Sequence, residues 1–255
     1  MPQPTAVTRI SLNRGQQILV GVGALLIAAT WLFLVLTRPD TWEDGLSSTP
    51  ALITLLGYVG GAIALLIATV PALPTRIIAI IPVALVLNIV IGEIVGSVGI
   101  PLYLDTIGTV FIAALAGPIT GTATGVLTSV VWSFLNPAAL PFAAGNALIG
   151  FLSGWAIKKG SFKNIVWVII TGVLLGAIAG VISAPVAAFV YGGTAGVGTG
   201  AVVSLFREMG QSLLSAVTLQ SFLSDPLDKA IVMVLVWASL KYLPGRVRRN
   251  LGVQD

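Results

Sequence analysis

Hydrophobic residues in this chain are grouped into long blocks separated by short polar segments. Most blocks are close to the ~20 residues that cross the hydrocarbon of a bilayer. Eight such runs lie at residues 17–37, 51–71, 77–98, 103–117, 118–135, 141–158, 164–191 and 228–243. The pattern predicts an all-α integral membrane protein with about eight transmembrane helices. The two runs beside Gly117–Pro118 are short, so a re-entrant hairpin is an alternative there.

Composition agrees with a polytopic membrane protein. Hydrophobic residues make up 56% of the chain and charged residues 9%, with a mean hydropathy of +1.03. The chain has no cysteine and no histidine, which excludes disulfides, thiolate or imidazole metal sites, and histidine-based catalytic triads. We therefore expect no cofactor and no metal, and we do not expect an enzyme.

The charges predict an orientation in the bilayer. When the runs alternate in direction, ten of the 13 basic residues fall on one side and eight of the nine acidic residues on or near the other. Basic loops mark the cytoplasmic face, so both termini are predicted to be cytoplasmic in a bacterial inner membrane. The net charge of +4 reflects this topology and contact with lipid headgroups rather than nucleic acid.

Three parts are predicted along the chain. Residues 1–75 contain a cytoplasmic tail and two additional helices, the first of which ends in an acidic loop at 38–44. Residues 76–245 contain six helices with nearly all the intramembrane polar residues, and residues 246–255 form a basic tail. Function is expected in the six-helix part, because polar groups within membrane spans are costly and mark functional sites.

The stretch from Gly192 to Leu227 begins and ends outside the membrane in this topology. Its glycines predict a hinge, and residues 201–223 predict one partly polar helix that covers the outer mouth as a lid. Pro226 suits the first turn of the last span, and Asp225 is placed as its cap. The residues assigned to the lid or the outer mouth are Arg207, Glu208, Gln211, Asp225, Asp228 and Lys229.

Glycines recur at a spacing of four residues, which places them on one helix face. Such faces serve either the packing of helices within the chain or the docking of another membrane subunit. The two main ladders are Gly117, Gly121 and Gly125, and Gly172, Gly176 and Gly180.

A set of polar and aromatic residues lies near the predicted outer ends of the later spans. We predict that they contribute to one substrate-binding cavity, covered by the loop 99–104 and the lid helix. The six are Glu93, Tyr103, Asp105, Trp132, Asn136 and Asn146. An acidic side chain within a span requires a partner or a cavity.

Plainer interpretations of the same residues are open. Glu93 could form a structural ion pair with Arg207 or Lys229, and Asp105 could cap a helix that begins at Thr106. Trp132, like Trp167, could be an interfacial anchor instead of lining a pocket.

No nucleotide-binding motif occurs in the chain, since none of its lysines ends a G-x-x-x-x-G-K-[ST] run. No segment between the spans is long enough for an ATPase domain. Energy from ATP would therefore have to come from a partner chain.

Two segments carry a family resemblance. The run from Pro101 to Thr109, followed by Ala113–Pro118 and Gly121, resembles the substrate-binding S components of energy-coupling factor transporters. The segment Asp225–Lys229 is similar to the start of the final helix in uncharacterised members of that group. The likeness covers about residues 76–245.

This resemblance implies a six-helix bundle that binds a vitamin or similar small nutrient at its outer face. A separate transmembrane coupling protein and two ATPase subunits would then drive uptake. It assigns no role to the two additional helices, and thiamine-like, pyrimidine-like and riboflavin-like ligands are all compatible with it. An ion- or proton-coupled secondary transporter, with Glu93 or Asp105 as the coupling carboxylate, and a membrane ligand sensor or scaffold are the alternative functions.

Overall fold

The computed structural model describes residues 11–39, 48–193 and 196–244. This part of the chain is all-helical, without a strand. Most of the predicted acidic loop and the whole basic tail lie outside the described residues. The α-helices are α1 (Arg14–Thr37), α2 (Thr49–Thr69), α3 (Thr75–Ser97), α4 (Ile107–Ala116), α5 (Pro118–Trp132), α6 (Ala143–Lys158), α7 (Ile165–Val190), α8 (Val197–Glu208) and α9 (Leu213–Tyr242).

Five helical segments are long and apolar enough to cross a membrane. They are α1, α2 with the turn after it, α3, α6 with the turn before it, and α7. This is compatible with a multi-pass membrane protein. α4 and α5 are short, and α9 carries charged residues, so length and composition identify five of the described helices as able to cross a membrane and do not by themselves establish eight crossings.

The described helices form two large buried apolar clusters. One cluster joins α3, α4, α7 and α9 through residues such as Ile77, Ile112 and Met233. The other joins the N-terminal pair α1–α2 to α5, α6 and α7 around Tyr58 and Val126. The two additional helices are thus packed against the bundle along an apolar seam.

The glycine ladders are used for close packing within the chain. Gly121 of α5 lies against the backbone of Gly150 in α6. On α7, Gly172 lies against the backbone of Ala230 and Gly176 against that of Asp225, both in α9. A methyl group at any of these glycines would overlap main-chain atoms, so these faces have no room for a second subunit.

The predicted lid helix 201–223 and the predicted start of the last span are wrong. α8 ends at Glu208, and α9 then begins at Leu213, with the Ser212 side chain as its N-cap. α9 continues through Pro226 to Tyr242, about 45 Å at the usual rise of 1.5 Å per residue. Pro226, which was predicted to start a helix, instead lies inside α9, where its missing N–H leaves out one backbone hydrogen bond of the helix.

A non-helical segment, residues 98–106, enters the bundle between α3 and α4. α4 begins only at Ile107, beside the middle of α3, where Gly108 lies against the backbone of Ala84. Non-helical backbone at such depth is tolerated where protein surrounds it and satisfies its polar groups. Gly117, with φ of +85°, then turns the chain into α5.

Asn88 of α3 provides the cap for α4. Its side-chain oxygen accepts a hydrogen bond from the Gly108 amide at 2.6 Å, and its amide donates to the hydroxyls of Thr109 at 2.9 Å and Thr128 at 3.0 Å. Asn88 is fully buried. One side chain thus joins α3, α4 and α5 directly beneath the re-entering segment.

Candidate binding cavity

A cavity of about 300 Å³ lies at the end of the bundle where α3, α5 and α7 finish and α6 and α9 begin. Polar and aromatic side chains from these helices, from the re-entering segment and from the start of α8 form its wall. The lining residues with chemical character are Glu93, Ser97, Tyr103, Asp105, Trp132, Asn136, Phe142, Asn146, Ser183, Gln220, Ser221, Asp225 and Lys229.

All six residues predicted for the substrate site line this one cavity. Glu93, late in α3, accepts hydrogen bonds from the indole N–H of Trp132 and from the side-chain amide of Asn136 at 3.1 Å. Trp132 is buried against Gly92, where a side chain on Gly92 would overlap the indole ring. The predicted pairing of Glu93 with Arg207 or Lys229 is wrong, because tryptophan and asparagine donors hold the carboxylate.

Lys229 of α9 is the centre of a buried ionic cluster. Its ammonium donates to Asp105 Oδ1 at 3.2 Å and to Asp228 Oδ2 at 2.6 Å. Asp105 is therefore not a helix cap: Thr106 occupies the N-cap position without a side-chain hydrogen bond, and Asn88 supplies the acceptor instead. A local capping rule misassigned Asp105 because its partner is more than 120 residues away in the sequence.

Asp228 attaches the re-entering segment to α9. Its Oδ1 accepts the amides of Tyr103 and Leu104, each at 2.8 Å, and its side chain is fully buried. Leu104 has a φ of +51°, a left-handed conformation that is uncommon for a residue with a branched side chain. The paired hydrogen bonds to a carboxylate hold this local strain in place.

Asp225 lies one helical turn before Asp228 and Lys229, and its side chain is buried among α9 and α7. Its Oδ1 receives the Ser224 hydroxyl at 3.3 Å, and Ser224 in turn accepts the Gln220 amide at 2.6 Å. Oδ2 lies beside Gly180, where a side chain would crowd it. The predicted capping role of Asp225 is wrong, since α9 has already begun at Leu213.

The α6 side of the wall combines an amide with an aromatic ring. Asn146 of α6 is buried and donates to the Ser129 hydroxyl of α5 at 2.9 Å. Phe142 stacks on Tyr191 with ring centroids 5.8 Å apart, and the Tyr191 hydroxyl donates to the Ala138 carbonyl at 3.0 Å. These contacts tie the end of α7 to the start of α6 at the cavity.

The other residues assigned to the lid or outer mouth divide into two groups. Asp225 and Lys229 line the cavity, and Asp228 lies directly behind it. Arg207, Glu208 and Gln211 are exposed at the far end of α8 and do not contribute to the lining, whereas Gly196 and Val197 at its near end do. Trp167 is exposed at the opposite end of α7 and does not line the cavity.

Sequence reasoning missed Ser183, Ser221 and Phe142 as lining residues. A signal for the first half of α9 was available. Polar residues recur there at a spacing of four, which marks one face of a continuous helix. The two rows are Gln220, Ser224 and Asp228, and Ser221, Asp225 and Lys229.

The arrangement is suited to binding. Hydrogen-bonded side chains and a buried ion cluster fix the polar groups before a ligand arrives, and such preorganisation favours tight recognition. Within the described ranges, no group of three acidic side chains is placed to hold a metal ion.

Comparisons with protein-family models, with curated protein sequences and with solved structures found no match for this chain.

Proposed function

We propose that this protein is the membrane-embedded substrate-binding subunit of an ATP-driven importer for a vitamin or similar small nutrient. The observation that carries the proposal is the cavity of about 300 Å³ at one end of the bundle, lined by aromatic rings and fixed polar groups. Pockets of this size and character hold small molecules. The proposal assigns ligand capture to this chain and the energy to a separate coupling protein and two ATPase subunits.

The proposed topology has eight crossings, with both termini on the cytoplasmic side of a bacterial inner membrane. The cavity then opens outward. The basic residues Lys158, Lys159 and Lys163 follow α6 at the opposite end from the cavity, which supports this orientation under the positive-inside rule.

Topology can be tested with single cysteines, because the chain has none of its own. Ser204→Cys, exposed on α8 at the cavity end, should react with a membrane-impermeant maleimide on intact cells. Lys163→Cys, exposed in the loop between α6 and α7, should react only after the cells are permeabilised. Labelling of Lys163→Cys on intact cells contradicts the orientation.

The energy source separates the proposal from a secondary transporter. Any small molecule that copurifies with the chain is first identified by mass spectrometry and then supplied to liposomes. The purified chain alone should bind it without accumulating it, even under a proton or sodium gradient. Concentrative uptake by the chain alone, driven by such a gradient, contradicts the proposal and favours an ion-coupled transporter.

A sensor or scaffold would also bind without accumulation. Affinity purification from membranes of the native host distinguishes this alternative. We expect a transmembrane coupling protein and ATPases to copurify, and membrane vesicles containing them should accumulate the ligand only with ATP. Recovery of the chain without ATPase subunits contradicts the proposed assembly.

A further inference from the structure

The charges around the cavity are unbalanced. Among the charged lining residues, Glu93, Asp105 and Asp225 are acidic, and Lys229 is the one base. The ammonium of Lys229 is already used by Asp105 and by Asp228 behind the wall. The cavity therefore presents carboxylates without a matching number of cations.

Asp225 has acceptor capacity that the protein leaves open. The residue is 7% exposed, and its one hydrogen bond among the described residues is the 3.3 Å contact from Ser224 to Oδ1. Oδ2 receives no donor from those residues. A buried carboxylate is stable when a cation or several N–H donors face it.

Further acceptors face the same space. Asn146 is 6% exposed and uses its amide nitrogen on Ser129, so its carbonyl oxygen receives no protein donor in the described structure. Gln220 likewise uses its amide nitrogen on Ser224. In both side chains one N–H is used within the protein, and the carbonyl oxygen is left for a ligand.

Three aromatic rings form part of the apolar wall. Trp132, Tyr103 and Phe142 all line the cavity, and the faces of such rings attract cations as well as flat unsaturated groups. Trp132 is held by its hydrogen bond to Glu93. An aromatic surface and a carboxylate are thus joined in one rigid unit.

We propose that the cavity selects a small organic cation that carries N–H donors on a flat, unsaturated framework, with Asp225 and Glu93 as its carboxylate contacts. This rests on the proposed function, because it names the substrate class of the same site. An anionic ligand is disfavoured, since the single ammonium is already neutralised. A neutral ligand of the same shape leaves Oδ2 of Asp225 without a cation.

Three probes of one shape and different charge test the charge preference. Benzamidinium is a flat cation with N–H donors, benzamide is its neutral counterpart and benzoate its anion. Binding to the purified full-length chain in detergent is measured by calorimetry at millimolar probe concentrations. Benzamidinium should bind at least about tenfold more tightly than benzamide, the scale of a hydrogen bond to a charged group. Benzoate should not bind.

Isosteric variants of the two carboxylates test whether the preference for a cation arises in the cavity. Asp225→Asn and Glu93→Gln retain an acceptor oxygen for Ser224 and Trp132 while removing the charge. Each should weaken benzamidinium by about tenfold and leave benzamide unchanged. Glu208→Gln removes an exposed carboxylate at the far end of α8 and should change neither affinity.

Four results contradict the proposed preference for a cation. Absence of benzamidinium binding, equal or tighter binding of benzamide or benzoate, or an unchanged cation preference in both cavity variants contradicts it. Reduced binding in Glu208→Gln identifies general surface attraction and also contradicts it. These equilibrium measurements need no partner subunit, so a cation preference without ATP-driven uptake would refute the proposed function and leave this inference standing.

Discussion

In the N-terminal helix pair the atoms nearest to an added side chain belong to side chains, whereas several glycines of the bundle behind it lie nearest to backbone atoms. In α1–α2, a side chain added at Gly57 would meet the Thr30 side chain, and one at Gly61 would meet the Ile27 side chain. In the bundle, Gly176 of α7 and Gly125 of α5 lie directly against backbone carbonyls of α9 and α6.

Side chains can adopt another rotamer, whereas a packed helix backbone cannot move without disturbing its whole length. The N-terminal pair is therefore the adjustable region and the cavity-bearing bundle is the rigid one. The two regions also differ in their buried polar groups. The bundle holds the buried cluster of Asp105, Asp228 and Lys229. Among the described residues, α1 reaches α7 through one hydrogen bond, from the Trp31 indole to the Ile182 carbonyl at 3.0 Å.

The largest expected effect is at Asp228. Asp228→Ala removes the acceptor of two backbone amides and a partner of Lys229, at a side chain with no exposed surface. We expect a loss of about 3–5 kcal/mol in the free energy of unfolding, the range for breaking a buried ion pair. Unfolding in mixed detergent micelles provides the measurement. Asp228→Asn, which retains an oxygen for the amides, should lose less, and stability equal to wild type in Asp228→Ala would disprove this account of the cluster.

An intermediate effect is expected at the glycines, and it tests the comparison directly. Gly176→Ala forces a methyl group onto the Asp225 carbonyl and should lower stability by about 1–3 kcal/mol, as overpacking does. Gly57→Ala should cost less, about 1 kcal/mol, because Thr30 can change rotamer at the expense of its hydrogen bond to the Leu26 carbonyl, and alanine favours the helix. The same unfolding assay applies to both.

Gly21→Ala is the matched control for helix propensity, since nothing lies within 4 Å of the added methyl group. It should be neutral or stabilising by up to about 1 kcal/mol. If Gly57→Ala proves as damaging as Gly176→Ala, the distinction between an adjustable and a rigid region is wrong.

The smallest effect concerns the attachment between the two regions. Trp31→Phe keeps most of the apolar contact and removes the hydrogen bond to Ile182, so a loss of about 1 kcal/mol is expected. Ligand affinity should not change, because Trp31 does not line the cavity. A marked loss of affinity in this variant would indicate that the N-terminal pair acts on the site.

Hydropathy located the apolar helices well, since α1, α2, α3 and α7 begin and end within a few residues of the predicted runs. It failed at α9. Asp225 and Pro226 have the chemistry of a helix start, and this outweighed the polar residues at a spacing of four that mark one continuous helix across them.

The common location of the six polar residues was predictable from their distance to the helix ends, and they do line one cavity. Their partners were not predictable. Asp105 and Lys229 are brought together by the re-entering segment, and Glu93 and Trp132 by the packing of α3 on α5. Single-sequence rules describe neighbours along a helix, whereas these pairs depend on how helices are arranged.

The tie between Asp228 and the amides of Tyr103 and Leu104 has a consequence for exchange with heavy water. Loop amides ordinarily exchange through small local fluctuations, but these two are released only when the buried carboxylate separates from them. Protection of these two amides against exchange should therefore match that of amides in the middle of α9 and exceed that of amides in the end turns of α1. By this measure residues 103 and 104, although outside any helix, belong to the slowest-opening part of the molecule.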